Sequence, residues 1–261
     1  PFNRKLDIGI LEQKKSEAII LGTKDFGESD LFVTFFSSHY GNLKGVAKGA
    51  RRSSKRFVNS LTIFSLVDVE FRGRRSSDLV WLDSCELIDG FPGIRSDYSL
   101  LSRASYMVEI TEILFPFNVS SSEMFQLLRS ALGSISNKQN IEETTMIFQA
   151  QAMKIGGFGI NVSKCSVCGR PYKGEGRALF HPPSGSIVCM ACDKESALTP
   201  GMDPNTVSVL EQIQSPDLSL SSALGFNKDT IRELKGVLMA HIEYCLGKRL
   251  KSAKYLQPWP L

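Results

Sequence analysis

The sequence predicts an α+β protein of more than one domain: an N-terminal OB-type five-stranded β-barrel over residues 1–90, then an α-helical domain over residues 91–261 with an inserted four-cysteine zinc knuckle at residues 161–195. Three observations predict it. Five short apolar or alternating runs, separated by turn residues, lie between Ser16 and Leu87. After Phe91-Pro92-Gly93 the apolar period changes from two to about 3.6. Two Cys-x-x-Cys pairs then interrupt the helical half.

The elements follow in order. Ala18-Ile19-Ile20-Leu21 reads as a first strand ended by Gly22, and Leu31–Phe36 as a second, β-branched and aromatic, ended by the turn at Ser37–Gly41. Leu43–Ala47 is a third. Thr62–Phe71 is a fourth, with Val67, Val69 and Phe71 alternating against Asp68, Glu70 and Arg72, and Leu79–Leu87 is a fifth. Five short strands in about 70 residues suggest a small barrel or sandwich. An OB barrel is the natural candidate, although strand count does not separate it from an SH3-like one.

In the helical half, Leu100, Ala104, Met107, Ile110 and Leu114 share a face, with Pro116 beyond the end. Ser120 and Glu123 have capping-box spacing before Met124, Leu128, Ala131 and Ile135. Ile141, Thr145, Phe148, Ala152 and Ile155 form a third stripe, stopped by Gly156-Gly157. These stripes read as core. Asp203-Pro204 opens another helix, and Asn227 caps a last one that reaches Gly247 and the basic residues Lys248, Arg249, Lys251 and Lys254.

At 261 residues and 42% apolar, the chain can bury a core of ordinary size, so a metal is not needed to hold up a coreless mini-protein. No apolar run approaches the ~18 residues of a membrane span. Pro1–Lys15 lacks the apolar stretch of a signal peptide, and the expected location is the cytoplasm. The net charge of +4 is unevenly placed: residues 1–80 carry 14 Lys/Arg against 9 Asp/Glu, and the remainder 17 against 18. A basic N-terminal part points to a polyanionic partner, nucleic acid before membrane.

Cys165 and Cys168 are separated from Cys189 and Cys192 by twenty residues. Each pair suits one side of a tetrahedral four-thiolate zinc site, whose closed shell makes the ion a brace rather than a catalyst. Two disulfides or a redox dithiol are the alternatives; disulfides need an oxidising compartment, and a redox motif is a single pair opening a helix. His181 lies in the intervening loop and could substitute as a ligand, but four thiolates already fill the shell. Cys85 and Cys245 lie on apolar patterns and read as core.

The second informative stretch is Gly41–Arg56, with Lys44, Lys48, Arg51, Arg52, Lys55 and Arg56 in thirteen residues. Such cations can neutralise phosphates and release counterions. Arg72, Arg74 and Arg75 can extend the surface, and Tyr40, Phe57 and Phe71 are candidate stacking faces for single strands. A solvated loop is the plainer reading of the charge run. Phosphate-loop, zinc-protease, nucleophile-elbow and dinucleotide motifs are missing, and the expectation is no enzyme. Glu109 and Glu112 read as surface charge; a metal-dependent nuclease, which needs such carboxylates held together, is the alternative.

In this order the motifs resemble a known family. Glu17–Leu21, Gly27-Glu28-Ser29-Asp30, and Gly41 through Lys48-Gly49-Ala50-Arg51-Arg52 resemble the RecO recombination-repair proteins. Leu61–Val69, Ala104-Ser105-Tyr106 and Leu250-Lys251-Ser252 fit the same family, and the Cys-x-x-Cys pairs match its zinc-bearing members. Asn42 departs from it, where the family often has a basic residue.

The resemblance implies an OB domain, a helical domain and one structural zinc held by Cys165, Cys168, Cys189 and Cys192. It implies binding to single- and double-stranded DNA through Lys44, Lys48, Arg51 and Arg52, and annealing of complementary strands. Contact with the C-terminal tail of single-stranded-DNA-binding protein follows too, in the helical domain, with Arg249 and Lys251 as candidate contacts. It further implies work with RecR, and often RecF, to load RecA on coated single strands, at the nucleoid during repair. The alternative is a zinc-containing scaffold whose OB domain mainly docks proteins. The knuckle's rim of Lys164, Arg170 and Lys173 is a candidate DNA or partner surface. Loss of zinc is expected to weaken the helical domain first.

Overall fold

The computed structural model describes residues 12–73, 79–193, 200–215 and 224–256. The chain forms two compact units. One runs to Phe91 and adds Phe115–Phe125; the other holds Pro92–Leu114 and Gln126 onward.

The first unit is a five-stranded barrel of β1 (Glu12–Phe26), β2 (Asp30–Ser37), β3 (Gly41–Ala47), β4 (Leu66–Gly73) and β5 (Leu79–Asp89). The order is β1-β2-β3-β5-β4, and antiparallel pairing of β4 with β1 closes the ring. β3 and β5 make a short parallel seam from Lys44↔Leu79 to Ala47↔Leu82. This is an OB-type arrangement. Alternation dictates the inside: Val33 and Phe35 of β2, Val67, Val69 and Phe71 of β4, and Val80 and Leu82 of β5 fill one cluster.

Two strand limits differ from those the sequence suggested. Gly22 does not end β1; the register with β2 shifts between Ile20 and Gly22, so the glycine marks a bulge and the strand continues to Phe26. Thr62–Ser65 is not strand. Phe64 has φ +72 and its N–H donates to the Ile20 carbonyl at 2.7 Å, so an apolar turn imitates an apolar strand.

The segment Phe115–Phe125 completes the barrel unit. Asn118 N–H donates to the Asn42 carbonyl at 2.9 Å, and Asn42 Nδ2 donates to the Phe115 carbonyl at 3.2 Å. Phe115 lies edge-on to Phe36 with centroids 6.0 Å apart. Gly41 has φ +71, and a Cβ there would lie 2.0 Å from the Val119 carbonyl oxygen. Gly41→Ala combines left-handed strain with a backbone clash. It is expected to cost about 3 kcal/mol or more. Thermal unfolding of the barrel unit should then shift down by roughly 10 °C or more.

The second unit contains α1 (Pro92–Arg95), α2 (Tyr98–Leu114), α3 (Ser122–Ser136, from Gln126 on), α4 (Ile141–Ile155), α5 (Pro204–Ile213) and α6 (Lys228–Leu246). A small sheet of order β7-β6-β8 is set among them: β6 (Ala178–His181), β7 (Ser186–Cys189) and β8 (Gly201–Met202). The predicted cap at Asn227 forms, accepting from Thr230 N; Asp203 likewise caps α5 by accepting from Thr206 N, and Gly247 ends α6 in the left-handed region. The α3 cap is one residue later than predicted: Ser121 Oγ, not Ser120, accepts the Met124 N–H at 3.1 Å. α4 is buried on nearly every side, Thr144 and Gln149 included, rather than along one stripe.

Phe180 and Ile187 of the small sheet share a core cluster with Ile147 of α4, Leu210 of α5 and Leu238 of α6. The cysteine segment is therefore continuous with the helical core. His241 of α6 is 2% exposed, donates from Nε2 to the Phe158 carbonyl at 2.6 Å and meets the Phe180 ring edge-on. Burial lowers its pKa, against the Phe158 bond, which raises it. Glu109 of α2 accepts from Lys251 N, Ser252 N and Ser252 Oγ at 2.9, 2.8 and 2.5 Å. Burial acts to raise its carboxyl, but these bonds win and hold it below the ordinary value.

Both shifts act in one direction. The neutral-histidine contribution is complete above the unfolded pKa near 6.5 and is lost as pH falls below it. The Glu109 contribution follows below about pH 4.5. The helical unit should melt at lower temperature at pH 5 than at pH 7.5, and His241→Gln should flatten that slope.

Candidate nucleic-acid interface and metal centre

The basic stretch lies where β3 leaves the barrel. Leu43 and Ala47 of β3 belong to the barrel core, so Lys44, Val46 and Lys48 point outward. On β5, Val80 and Leu82 point in and Trp81 points out; on β2, Val33 and Phe35 point in and Phe32 out. Register places Phe32 beside Val46 and Val46 beside Trp81. The outer face of β2-β3-β5 thus carries an apolar row, with a lysine on each side of it. Lys44 Nζ sits 3.6 Å from the Phe117 ring centroid, and Lys48 Nζ 4.6 Å from that of Trp81. Trp81 and Phe117 are 38% and 40% exposed.

The loop after β3 is tied to the start of β2 and the turn before it. Asp30 Oδ1 accepts the Gly49 N–H at 2.8 Å, and Arg51 N–H donates to the Ser29 carbonyl at 3.0 Å. Gly49 has φ +66, which lets the chain turn sharply into a 3-10 turn at Ala50–Arg52. The Glu-Ser-Asp and Lys-Gly-Ala-Arg-Arg motifs are therefore one construction: a carboxylate at the first fixes the cationic loop of the second.

Arg51, Arg52, Lys55 and Arg56 are exposed on that loop. Arg51 Nη1 is 3.4 Å from Asp25, a loose pair between exposed side chains, and Arg56 Nη2 donates to the Lys48 carbonyl at 2.8 Å. Arg72 is engaged differently: both Asp83 oxygens accept from it, at 2.8 and 2.6 Å. Arg74 and Arg75 lie outside the described residues.

Two aromatic assignments do not hold. Phe57 and Phe71 are 5% and 1% exposed, because they occupy inward positions of the barrel. Tyr40 is half-buried, edge-on to Phe71. Asn42 is 1% exposed and tied to Phe115, so this departure from the family pattern falls at a packed position, not a phosphate-facing one. Sequence reasoning missed Trp81 and Phe117. The parity of Trp81 against Val80 and Leu82 could have revealed it.

In the helical unit, Cys165, Cys168, Cys189 and Cys192 bring their Sγ atoms within 4.8 Å of one another. Cys168 and Cys189 Sγ are 3.9 Å apart. That is far beyond a disulfide bond of about 2.05 Å. It is close to the edge of a tetrahedron with zinc–sulfur arms of 2.3 Å, about 3.8 Å. Backbone bonds build the cradle: Gly169 N–H closes on the Cys165 carbonyl, Cys192 N–H on the Cys189 carbonyl, and Ser166 N–H ties the first turn to Ile187 of β7. Cys189 N–H also donates to Cys165 Sγ at 3.4 Å.

Burial alone would raise the Cys165 thiol, yet the N–H groups of Cys168, Cys189 and Val167 bring it down to about 6. Cys192 is pushed up to about 12, first by hydrogen bonding with Cys189 and then with Cys168. Four sulfurs this close, with backbone N–H groups favouring the thiolate at Cys165, are a donor set that a divalent cation would satisfy. His181 bonds Ser184 Oγ at 3.0 Å and is outside the cluster.

Arg170, Lys173 and Arg177 line a groove of about 800 Å³ beside the cluster, and Arg177 pairs with Glu233 at 2.7 Å. Lys164 is exposed next to Cys165. Arg249 pairs with Glu243 at 3.3 Å, and the Lys251 backbone is held by Glu109. Glu109 serves as that anchor. Cys85 is 5% exposed in the barrel core, and Cys245 is half-buried, 3.6 Å from His241 Nδ1. No helix among the described residues is long and apolar enough to cross a membrane.

An OB-type barrel with a fixed cationic strand end, joined to a helical unit whose four clustered cysteines could hold a metal ion, defines a class of multidomain proteins. Comparison with known proteins narrows the class. Residues 11–91 match the family described as recombination protein O N terminal, and residues 95–254 match recombination protein O C terminal. A DNA repair protein RecO from Syntrophus aciditrophicus is 31% identical over 245 residues, covering 93% of this chain and 94% of the relative. The DNA repair protein RecO of Geobacter metallireducens is 31% identical over 254 residues, 95% of this chain and 100% of the relative. The chain belongs to the RecO family.

Proposed function

We propose that the protein is a non-enzymatic, DNA-binding mediator of recombinational repair. It binds single- and double-stranded DNA, anneals complementary strands and, with RecR and in some settings RecF, helps load RecA onto strands coated with single-stranded-DNA-binding protein. The observation that carries this reading is the cationic β3 end and loop, Lys44 through Arg56, held by Asp30 on an OB barrel of a chain in this family. Annealing requires two polyanions close together with their base edges free. A cationic surface screens the repulsion without reading sequence, and it needs no nucleotide hydrolysis.

One zinc ion, held by Cys165, Cys168, Cys189 and Cys192, serves as a structural brace of the helical unit; the closeness of the four Sγ atoms supports this. When bound, zinc supplies four-coordinate cross-linking and no open coordination position. The test of the whole reading is strand annealing on complementary oligonucleotides coated with single-stranded-DNA-binding protein, intact or lacking its C-terminal tail. Annealing of intact coats, reduced on tail-deleted ones, is the expected result. Annealing of neither naked nor coated strands would sink the proposal.

A further inference from the structure

The lysines explain attraction to any phosphate chain, but not a choice between single and double strands. Two exposed aromatic rings beside those lysines supply one. We propose that Trp81 and Phe117 form a stacking platform for unpaired nucleobases, which gives the barrel a preference for single-stranded DNA. The inference rests on the DNA-binding reading above and deepens it.

In an alternating strand of a closed barrel, an outward tryptophan leaves part of a large apolar ring in water. Trp81 does so at 38% and Phe117 at 40%. Neither position drifts. Trp81 lies opposite buried Val46 in the parallel β3–β5 seam. Phe117 bridges to Asn42 at the start of β3, between Phe115 and Asn118, which are both hydrogen-bonded to Asn42. The backbone beneath both rings is fixed by strand pairing and hydrogen bonds, which limits the ordering entropy that opposes binding.

The second step is what the rings hold in the free chain. Each carries a lysine ammonium against its face, at 3.6 and 4.6 Å. A face that accepts a cation is electron-rich, and Trp81 and Phe117 each keep part of their surface open to solvent. A single strand offers both groups needed to replace that contact. Its phosphate takes the ammonium, and its base takes the ring face. Lys44 and Lys48 are four residues apart on one outward face, roughly 13 Å, so the two exchanges proceed side by side along one strand. A duplex offers phosphates but keeps its bases stacked inside. It engages the lysines and leaves the rings unused.

The chain contains two tryptophans, Trp81 and Trp259, and this provides the readout. With Trp259→Phe in place, Trp81 is the sole indole. Titration with oligo(dT) should quench its emission by base stacking, while a duplex of the same length, brought to equal occupancy by anisotropy, should not quench it. Trp81→Leu keeps the apolar bulk and removes the indole. It should weaken oligo(dT) binding about 5- to 100-fold and duplex binding less than twofold; Trp81→Phe should restore most of the loss. Phe117→Leu should behave as Trp81→Leu does.

Unchanged emission at saturating oligo(dT), or equal loss of single-strand and duplex affinity in Trp81→Leu, overturns the platform while DNA binding stands. Absence of binding to either DNA overturns both readings.

Discussion

Zinc removal is expected to melt the helical unit well before the barrel. The four cysteines close a loop whose hairpin contributes Phe180 and Ile187 to the core shared with α4, α5 and α6. Without the ion, the backbone bonds of the two cysteine turns remain, but the cross-link among the four sulfurs is lost. Isolated zinc-finger peptides depend on about 10–16 kcal/mol from the metal. Here the helices retain a core of their own, so the loss should be smaller, on the order of 5 kcal/mol. For a unit of this size that is a fall of roughly 10–20 °C.

The measurement is calorimetry of the holoprotein with and without a strong chelator, alongside Cys165→Ser, with zinc content by elemental analysis. One zinc per chain, an early transition for the helical unit and a nearly unchanged barrel transition are expected. Barrel and helical transitions falling equally, or a protein that never contained zinc, would contradict the assignment. DNA affinity of the stripped protein below the first transition should change little.

The second large effect is electrostatic, and it separates cations that composition treats alike. Removing Lys44 and Lys48 together should flatten the dependence of log K on log salt by about 1.4 for single strands, near 0.7 for each phosphate contact. Affinity at low salt should fall on the order of tenfold or more. Arg72→Ala should do far less, since both Asp83 oxygens already accept from its guanidinium. Arg51 is intermediate. Its pair with Asp25 is long and exposed, and such pairs are weak enough to exchange for a phosphate. Fluorescence anisotropy of a labelled oligonucleotide over several salt concentrations measures all three. Equal slopes for the lysine and Arg72 variants would place the binding surface elsewhere.

Much of this was legible in the sequence, for physical reasons. The cysteine cluster depends on short-range spacing, because each Cys-x-x-Cys turn sets its own two sulfurs. The strands were legible because inward residues alternate; the same rule, applied strictly, would have placed Phe71 inside with Val67 and Val69, and Trp81 outside. What escaped were features made by distant parts of the chain. The Asn42 amide meets the Phe115 carbonyl across 73 residues, and Glu109 holds Ser252 across 143. No local pattern announces either. Gly22 misled because a bulge and a strand end use the same residue type. Phe64 misled because an apolar turn sealed by the Ile20 carbonyl has the composition of a strand.

The return of Phe115–Phe125 to the first unit has a practical consequence for dissection of the molecule. The barrel is not a contiguous stretch of chain. A fragment cut after Phe91 would keep all five strands but lose the cover over Phe36 and Asn42, leaving an aromatic ring and a buried amide facing water. It would also lose Phe117, and with it the ring that Lys44 rests on. Such a fragment should be sticky and a poor guide to the intact protein. Grafting residues 115–125 back through a short flexible linker is the more faithful minimal barrel.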